Sequence, residues 1–384
     1  MPLATVDLAT GVFWITALAA TLLLAARVSG QNRSVVFAAI NLAFIGAFAG
    51  AVVAAAALLA CGAAWIWARV LHRTGPRLWT VAPALVIPLC LFTAYKLPAA
   101  AALFEGTSLN PILGAISFSY VMLRLFDMHR AMWERRLRIP TPIDAINYLV
   151  PFHMLAAGPI QSYEDFVEQP GEPRPLNRDS VLSALGRIAF GAFKKFVVAT
   201  ALKEVFLTGF SEGGWYWLLE VQICFLWLYI DFSAYSDIAV GVGRLLGVHT
   251  PENFNKPYLA RNLIVFWERW HISLSLWIRR NIFMPVQLTM IRRTSGRHPL
   301  VCASVAFSIA FLLCGLWHAV DVRFAIWGTM HAVGLVVTTN YRAILVRWLG
   351  GAGLKRYMAN RWIEIAAVIL TFEWAAFANL VVFL

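Results

Sequence analysis

Two histidines carry most of the chemistry this chain could perform. His271 stands within NFNKPYLARNLIVFWERWHISLSLWIRRNIFMP (253–285), and His318 closes a long apolar run in CGLWHAV. A neutral imidazole can take a proton from a hydroxyl as it attacks a carbonyl, and a second can orient the donor or stabilise the oxyanion. The pair could also bind a metal. Metal sites, however, want three or four placed ligands, and no other candidate ligand stands at a recognisable spacing. There is no GxSxG elbow, no Walker loop and no HExxH. A third histidine, His331 in WGTMHAVG, lies one helix further on and could be a hydrogen-bond partner.

The residues around His271 predict one continuous helix. Phe266, Trp270, Ser273, Trp277 and Arg280 recur at helical spacing, with Trp267, His271, Leu274 and Ile278 on the neighbouring face and Ser275 one turn beyond His271. Such a helix presents an aromatic wall with an imidazole, two hydroxyls and flanking charges. A helix that only separates lipids has little use for Glu268, Arg269, His271, Arg279 and Arg280, because intramembrane polar groups are costly and face a cavity or a functional path. Taken alone, the helix would also suit a pore lining, and His318 beside Trp317 would suit an interfacial anchor. Asp231, Tyr235, Ser236 and Asp237 follow another apolar span and read as a polar cavity lining or a helix start, with capping the favoured role for Asp237.

What must position these groups is a membrane bundle. The chain has 384 residues, 60% hydrophobic and 14% charged, with a mean hydropathy of +0.69. Soluble domains carry about 25% charged residues, so there is too little polar sequence here to face water. The class is an all-α polytopic membrane protein with a single membrane-embedded domain over 1–384. The net charge of +12 resides in short arginine clusters between apolar segments, which the positive-inside rule explains without nucleic acid. The five cysteines lie in apolar segments at no metal-like spacing and read as small core hydrophobes.

Segment by segment, the pattern predicts about ten or eleven membrane crossings. MPLATVDLAT lacks a basic leader region, so 11–28 stays as the first span, and Arg27 and Arg33 place the N-terminus outside. The uncharged run 34–68 would be about 50 Å long as one helix, against a core of about 30 Å, and therefore splits near Gly46–Gly50. Leu78–Tyr95 carries Pro83 and Pro88, and Leu109–Phe126 ends with Arg124 and Asp127 expected at the interface. Gly158-Pro159 breaks a further apolar segment, either at a cavity rim or where a helix stops. Gln169–Ser180 reads as an aqueous loop, Lys194 and Lys195 as part of an interfacial helix, and 215–230, 300–317, 324–341 and 362–384 as later spans. Glu373, inside the last one, is expected to pair with a basic group. The C-terminus falls outside.

With these residues in view, a resemblance emerges. DFSAYSDIAVGVGRLLG (231–247), ENFNKPYLARNLIVFWERWHISLSLWIRR (252–280) and GLWHA (315–319) resemble the membrane-bound O-acyltransferase family. ILGAISFSYVMLRLFDMHR (112–130), AGPIQSYEDF (157–166) and GAFKKFVVA (191–199) add weaker matches, so the resemblance is strongest over 109–345 and the spans of 1–108 lie largely outside it. It implies a multi-helix bundle of that family's type with a transmembrane tunnel. It also implies His318 as the catalytic residue and His271 as a second functional histidine at a position that is normally Asn or His. Two bacterial branches are similar, one acetylating exopolysaccharides such as alginate, the other moving D-alanine towards teichoic acids. NKPYLARN and the direct run from IFMP to IRRTSGR look more like the second.

The resemblance implies a bacterial cytoplasmic-membrane enzyme surrounded by membrane lipid. A small acyl group, D-alanyl or acetyl, would leave a cytoplasmic thioester, on coenzyme A or on a carrier protein's phosphopantetheine arm, for a hydroxyl of an extracytoplasmic envelope polymer. No bound cofactor or metal is expected. Arg279, Arg280, Arg292 and Arg293 would flank donor access. Trp267, Trp270, Ser273, Ser275, Trp277, Trp317, Asp231, Tyr235 and Asn255 would line the tunnel or contact substrate. An extracytoplasmic acyl relay or acetylase is the expected partner. Two other classes compete: a transporter or channel for an anionic or acyl substrate, and a scaffold for an envelope-polymer complex. No internal repeat supports the transporter.

Overall fold

The structure, a computed structural model, describes residues 11–25, 31–97, 112–114, 116–168, 177–204 and 217–383. Expectations for 1–10, Arg27, the start of the 109–126 segment and most of the proline-rich loop fall outside these. The described chain is helical: α1 (Gly11–Ala25), α2 (Gln31–Ala49), α3 (Ala51–Thr74), α4 (Leu78–Lys96), α5 (Phe118–Trp133), α6 (Pro142–Leu149), α7 (Tyr163–Val167), α8 (Arg178–Phe193), α9 (Trp217–Leu246), α10 (Leu263–Trp267), α11 (Ile272–Ile278), α12 (Met284–Arg293), α13 (Pro299–His318), α14 (Val322–Ala359) and α15 (Arg361–Phe383). Among the described residues, seven helices are long and apolar enough to cross a membrane, and Gly11–Leu23 is a shorter apolar stretch. The long uncharged run divides as expected: α2 stops at Ala49, Gly50 takes φ 97°, and α3 starts at Ala51.

Two compact units divide the chain. The first holds Met1–Ala192 and Tyr235–Pro251. Its core gathers Phe13, Phe44 and Phe152. The broken segment near Gly158 is held from α5, and here the structure corrects the sequence reading. Arg124 does not lie at an interface; it is fully buried, as is most of Asp127. Its guanidinium donates to the carbonyls of Leu149 (3.2 Å), Met154 (2.9 Å) and Pro159 (3.2 Å). Asp127 accepts from the Tyr163 N–H at 2.7 Å and the Tyr148 hydroxyl at 3.4 Å. Backbone outside a regular helix leaves carbonyls unpaired, and in an apolar interior something must satisfy them. A five-donor fork one helix away does so for three at once. Arg124→Met should therefore be strongly destabilising, since each buried polar group left unpaired costs about 1–3 kcal/mol. The measurement is the melting temperature of purified protein in detergent; a midpoint equal to wild type would refute this role.

α9 also departs from expectation. It runs without interruption from Trp217 to Leu246, so Asp237 is not a helix cap. Asp237 instead pairs with Arg187 of α8, Nε to Oδ1 at 3.0 Å. Tyr235 is in the first unit and donates to the His153 carbonyl at 3.4 Å.

The second unit holds Phe193–Ala234 and Glu252–Leu384. Beyond α8 the chain widens into a π-helix, Lys194–Ala199. There Lys194 donates to Ser233 at 2.8 Å and Lys195 pairs with Asp231 at 2.6 Å, so both lysines meet α9. The close approach of α13 and α14 depends on glycine. A Cβ on Gly315 would fall on the Phe324 carbonyl, and one on Gly328 on the Phe311 carbonyl. Small residues let helix backbones meet directly, and here they bring the end of α13 against the start of α14. At Gly334, one turn past His331, a side chain would collide with Leu263 and Trp374, so α10 also rests on α14. Gly350, at φ 61°, interrupts α14. Glu373 accepts from Gln222 at 2.8 Å rather than from the expected basic group. Of the cysteines, Cys61, Cys302 and Cys314 are buried as expected, but Cys90 is exposed.

Candidate active site

The expected continuous helix from Phe266 to Arg280 does not form. α10 starts on Asn262, whose side chain accepts the Val265 N–H at 3.0 Å, and it ends at Trp267 after five residues. The chain turns through Glu268–His271, and α11 begins at Ile272. His271 occupies the left-handed region, φ 42° and ψ 53°. Few non-glycine residues sit there, though His is among the enriched ones, and the conformation costs about 1–2 kcal/mol. The preceding loop holds the turn in place. Asn255 N–H donates to the Arg269 carbonyl and Ile272 N–H to that of Asn253, both at 2.9 Å. The Asn253 side chain then accepts from Ser273, its N–H at 3.2 Å and its hydroxyl at 2.7 Å. These bonds satisfy donors that a helix start leaves free. Asn253, 1% exposed, is a positioning residue that sequence periodicity did not single out; an Asn preceding a bulky aromatic and a Pro-containing loop gives little signal for a cap twenty residues away.

The break turns His271 inward. The residue is 2% exposed, and among the described residues neither ring nitrogen has a hydrogen-bond partner, although both are buried. Phe232 of α9 packs on the ring at 4.8 Å between centroids. Buried polar atoms are nearly always paired, so two open positions on one imidazole mark a place built to receive something else.

His318 is the last residue of α13 and is half-buried. Aromatic rings frame it: Trp317 at 4.7 Å, Trp327 at 5.2 Å and Phe324 at 5.9 Å. His331, on α14, is 1% exposed and accepts the indole N–H of Trp267 through Nδ1 at 3.4 Å. Trp327 lies 4.7 Å from the His331 ring, so one indole contacts both His318 and His331. His271 connects to His331 through a run of ring contacts, Phe232 to Phe254 to Trp270 to Phe266. One unit thus holds three imidazoles among aromatic rings, His271 at the turn before α11, His318 on α13 and His331 on α14.

The other expected site residues scatter by role. Trp267 faces His331, Phe311 and Trp327. Trp270 packs with Phe225, Phe254 and Phe266, and Phe266 in turn faces His331. Ser273 is tied to Asn253, and Ser275 donates to the Trp270 carbonyl at 3.2 Å. Trp277 is buried, and its carbonyl accepts from Asn281 at 3.0 Å. Asn255 is exposed and takes part through its backbone. Arg279, Arg292 and Arg293 are exposed and Arg280 half-buried, the last pair ending α12. An apolar groove of about 300 Å³ lined by Ala325, Ile326, Thr329, Met330, Val333 and Trp374 contains none of the histidines.

Known proteins can now be set beside this geometry. The model of a family described as MBOAT, membrane-bound O-acyltransferase, matches residues 77–366. Over 281 residues the chain is 29% identical to the teichoic acid D-alanyltransferase of Bacillus subtilis (strain 168), covering 70% of this chain and 69% of that protein. It is 30% identical over 239 residues to the probable alginate O-acetylase AlgI of Azotobacter vinelandii, and 31% over 206 residues to the peptidoglycan O-acetyltransferase of Helicobacter pylori. Those alignments cover 61% and 52% of this chain, but only 44% and 38% of the two relatives.

Proposed function

This chain belongs to the membrane-bound O-acyltransferase family, and from that premise we propose that it moves a small acyl group from a thioester to a hydroxyl of a cell-envelope polymer, with His318 as general base. The observation that carries the reading is His271, in the same unit as His318, whose two ring nitrogens are buried without partners among the described residues. In this mechanism His318 takes the acceptor hydroxyl proton as its oxygen attacks the acyl carbon. His271 donates to the carbonyl oxygen as negative charge develops. The C–S bond then breaks, and the leaving thiolate takes the proton back from His318. The aromatic enclosure keeps out water, which would otherwise hydrolyse the thioester.

The acyl group is D-alanyl or acetyl, since the relatives include both a D-alanyltransferase and O-acetylases. The longer alignment to the D-alanyltransferase favours a D-alanyl carrier as donor. The donor arrives on coenzyme A or a carrier's phosphopantetheine arm from the cytoplasm, near Arg279, Arg280, Arg292 and Arg293. The acceptor, or an acyl-relay partner, meets it from the extracytoplasmic side of the inner membrane. Purified protein in detergent should release thiol from D-alanyl-carrier or acetyl-coenzyme A, and should do so faster when an acceptor glycan is added. A donor left intact under all conditions would point to the transporter class and sink the reading.

A further inference from the structure

The geometry points to His331 as a third working histidine: its Nε2–H donates a hydrogen bond to the acyl carbonyl oxygen, and Trp267 fixes it in the tautomer that can do so. This inference rests on the acyl-transfer reading and adds a second donor beside His271. An indole N–H can only donate. The bond from Trp267 to His331 Nδ1, long at 3.4 Å, therefore has one possible direction. A nitrogen that accepts carries no proton, so the ring is neutral and its proton sits on Nε2. That Nε2 is buried and has no partner among the described residues.

The neighbours of the ring explain why the donor is open. Phe266, Phe311 and Trp327 surround it at 6.3, 6.3 and 4.7 Å and offer no acceptor oxygen. A buried N–H left unpaired costs about 1–3 kcal/mol, a cost that a bound carbonyl would remove. The arrangement is also built at backbone level. Gly334 admits Leu263 against α14, and Trp267, one turn along α10, then reaches His331. His318 shares Trp327 with His331, so the donor and the proposed base face the same indole. No proton changes hands at His331; it only donates a hydrogen bond as the tetrahedral oxygen forms and keeps its proton as that intermediate collapses.

The test compares His331→Leu, His331→Gln and Trp267→Phe with wild type in thiol release, fitted for kcat and KM, with melting temperatures alongside. His331→Leu should lower kcat about 10²-fold with KM within a few-fold, as expected for a donor used in the transition state. His331→Gln, which restores an N–H near the same reach, should recover kcat to within about tenfold of wild type. In ¹⁵N-histidine spectra, the His331 signal, assigned by its loss in His331→Gln, should show the Nε2–H tautomer in wild type and a mixture in Trp267→Phe. Wild-type kcat in His331→Leu, equal losses in the Leu and Gln variants, or an Nδ1–H tautomer in wild type would each overturn the inference. A wild-type protein that turns over no thioester would instead overturn the acyl-transfer reading, and this donor role with it.

Discussion

Replacing His318 with alanine should reduce acyl transfer by about 10²–10⁴-fold, the usual cost of losing a general base, while leaving the protein folded. The two halves of this expectation have separate physical grounds. The site of α13 against α14 is set by Gly315, which lies against the Phe324 carbonyl, and Gly328, which lies against that of Phe311, and not by the imidazole. His318 closes its helix and is half-buried, so removing the ring empties a small volume among Trp317, Phe324 and Trp327 without opening the core. The variant should elute as a single species in detergent and melt within a few degrees of wild type. Thiol release is the deciding measurement: full turnover by the alanine variant would end the assignment of His318 as base.

His271 should separate conformation from chemistry. Its φ of 42° makes three substitutions behave differently. His271→Gly relieves the left-handed strain and should hold or raise the melting temperature, yet it removes the ring and should lower kcat about 10²–10³-fold, as for one lost oxyanion donor. His271→Val should lose the same activity and also melt lower, because a β-branched residue fits this region worst. His271→Asn should fold well, since Asn tolerates the left-handed region, and should retain the most activity of the three through its amide N–H. Activity that tracks melting temperature across the series would make His271 a structural turn residue.

Some of this was legible from residue types alone. A chain 60% hydrophobic, with arginines gathered between apolar runs, can only cover itself with lipid, and the length of the 34–68 run forced a break that appears at Gly50. RWHISLS and GLWH were sufficient to point to the family. Periodicity failed where tertiary contacts overrode it. The pattern from Phe266 to Arg280 satisfies a helix on paper, but the loop at Asn253–Asn255 offers backbone and side-chain partners at Arg269, Ile272 and Ser273, and those bonds hold a turn open at His271. Arg124 shows the same limit. A charge near a helix end is expected to reach water, and only the folded chain reveals three stranded carbonyls within its reach.

The division follows from the range of the forces involved. Composition, hydropathy and local spacing decide which segments are helical and which stay in the membrane, because those choices depend on neighbours along the chain. The sequence by itself therefore determined the class, most of the helices and the family. The orientation of each imidazole depends on groups 20 to 64 positions away: Asn253 for the turn before Ser273, and Trp267 for His331. Hydrogen bonds at that separation exist only after the helices pack. Tertiary structure alone therefore decided that His271 sits at a left-handed break with neither nitrogen partnered among the described residues, and that His331 accepts from Trp267.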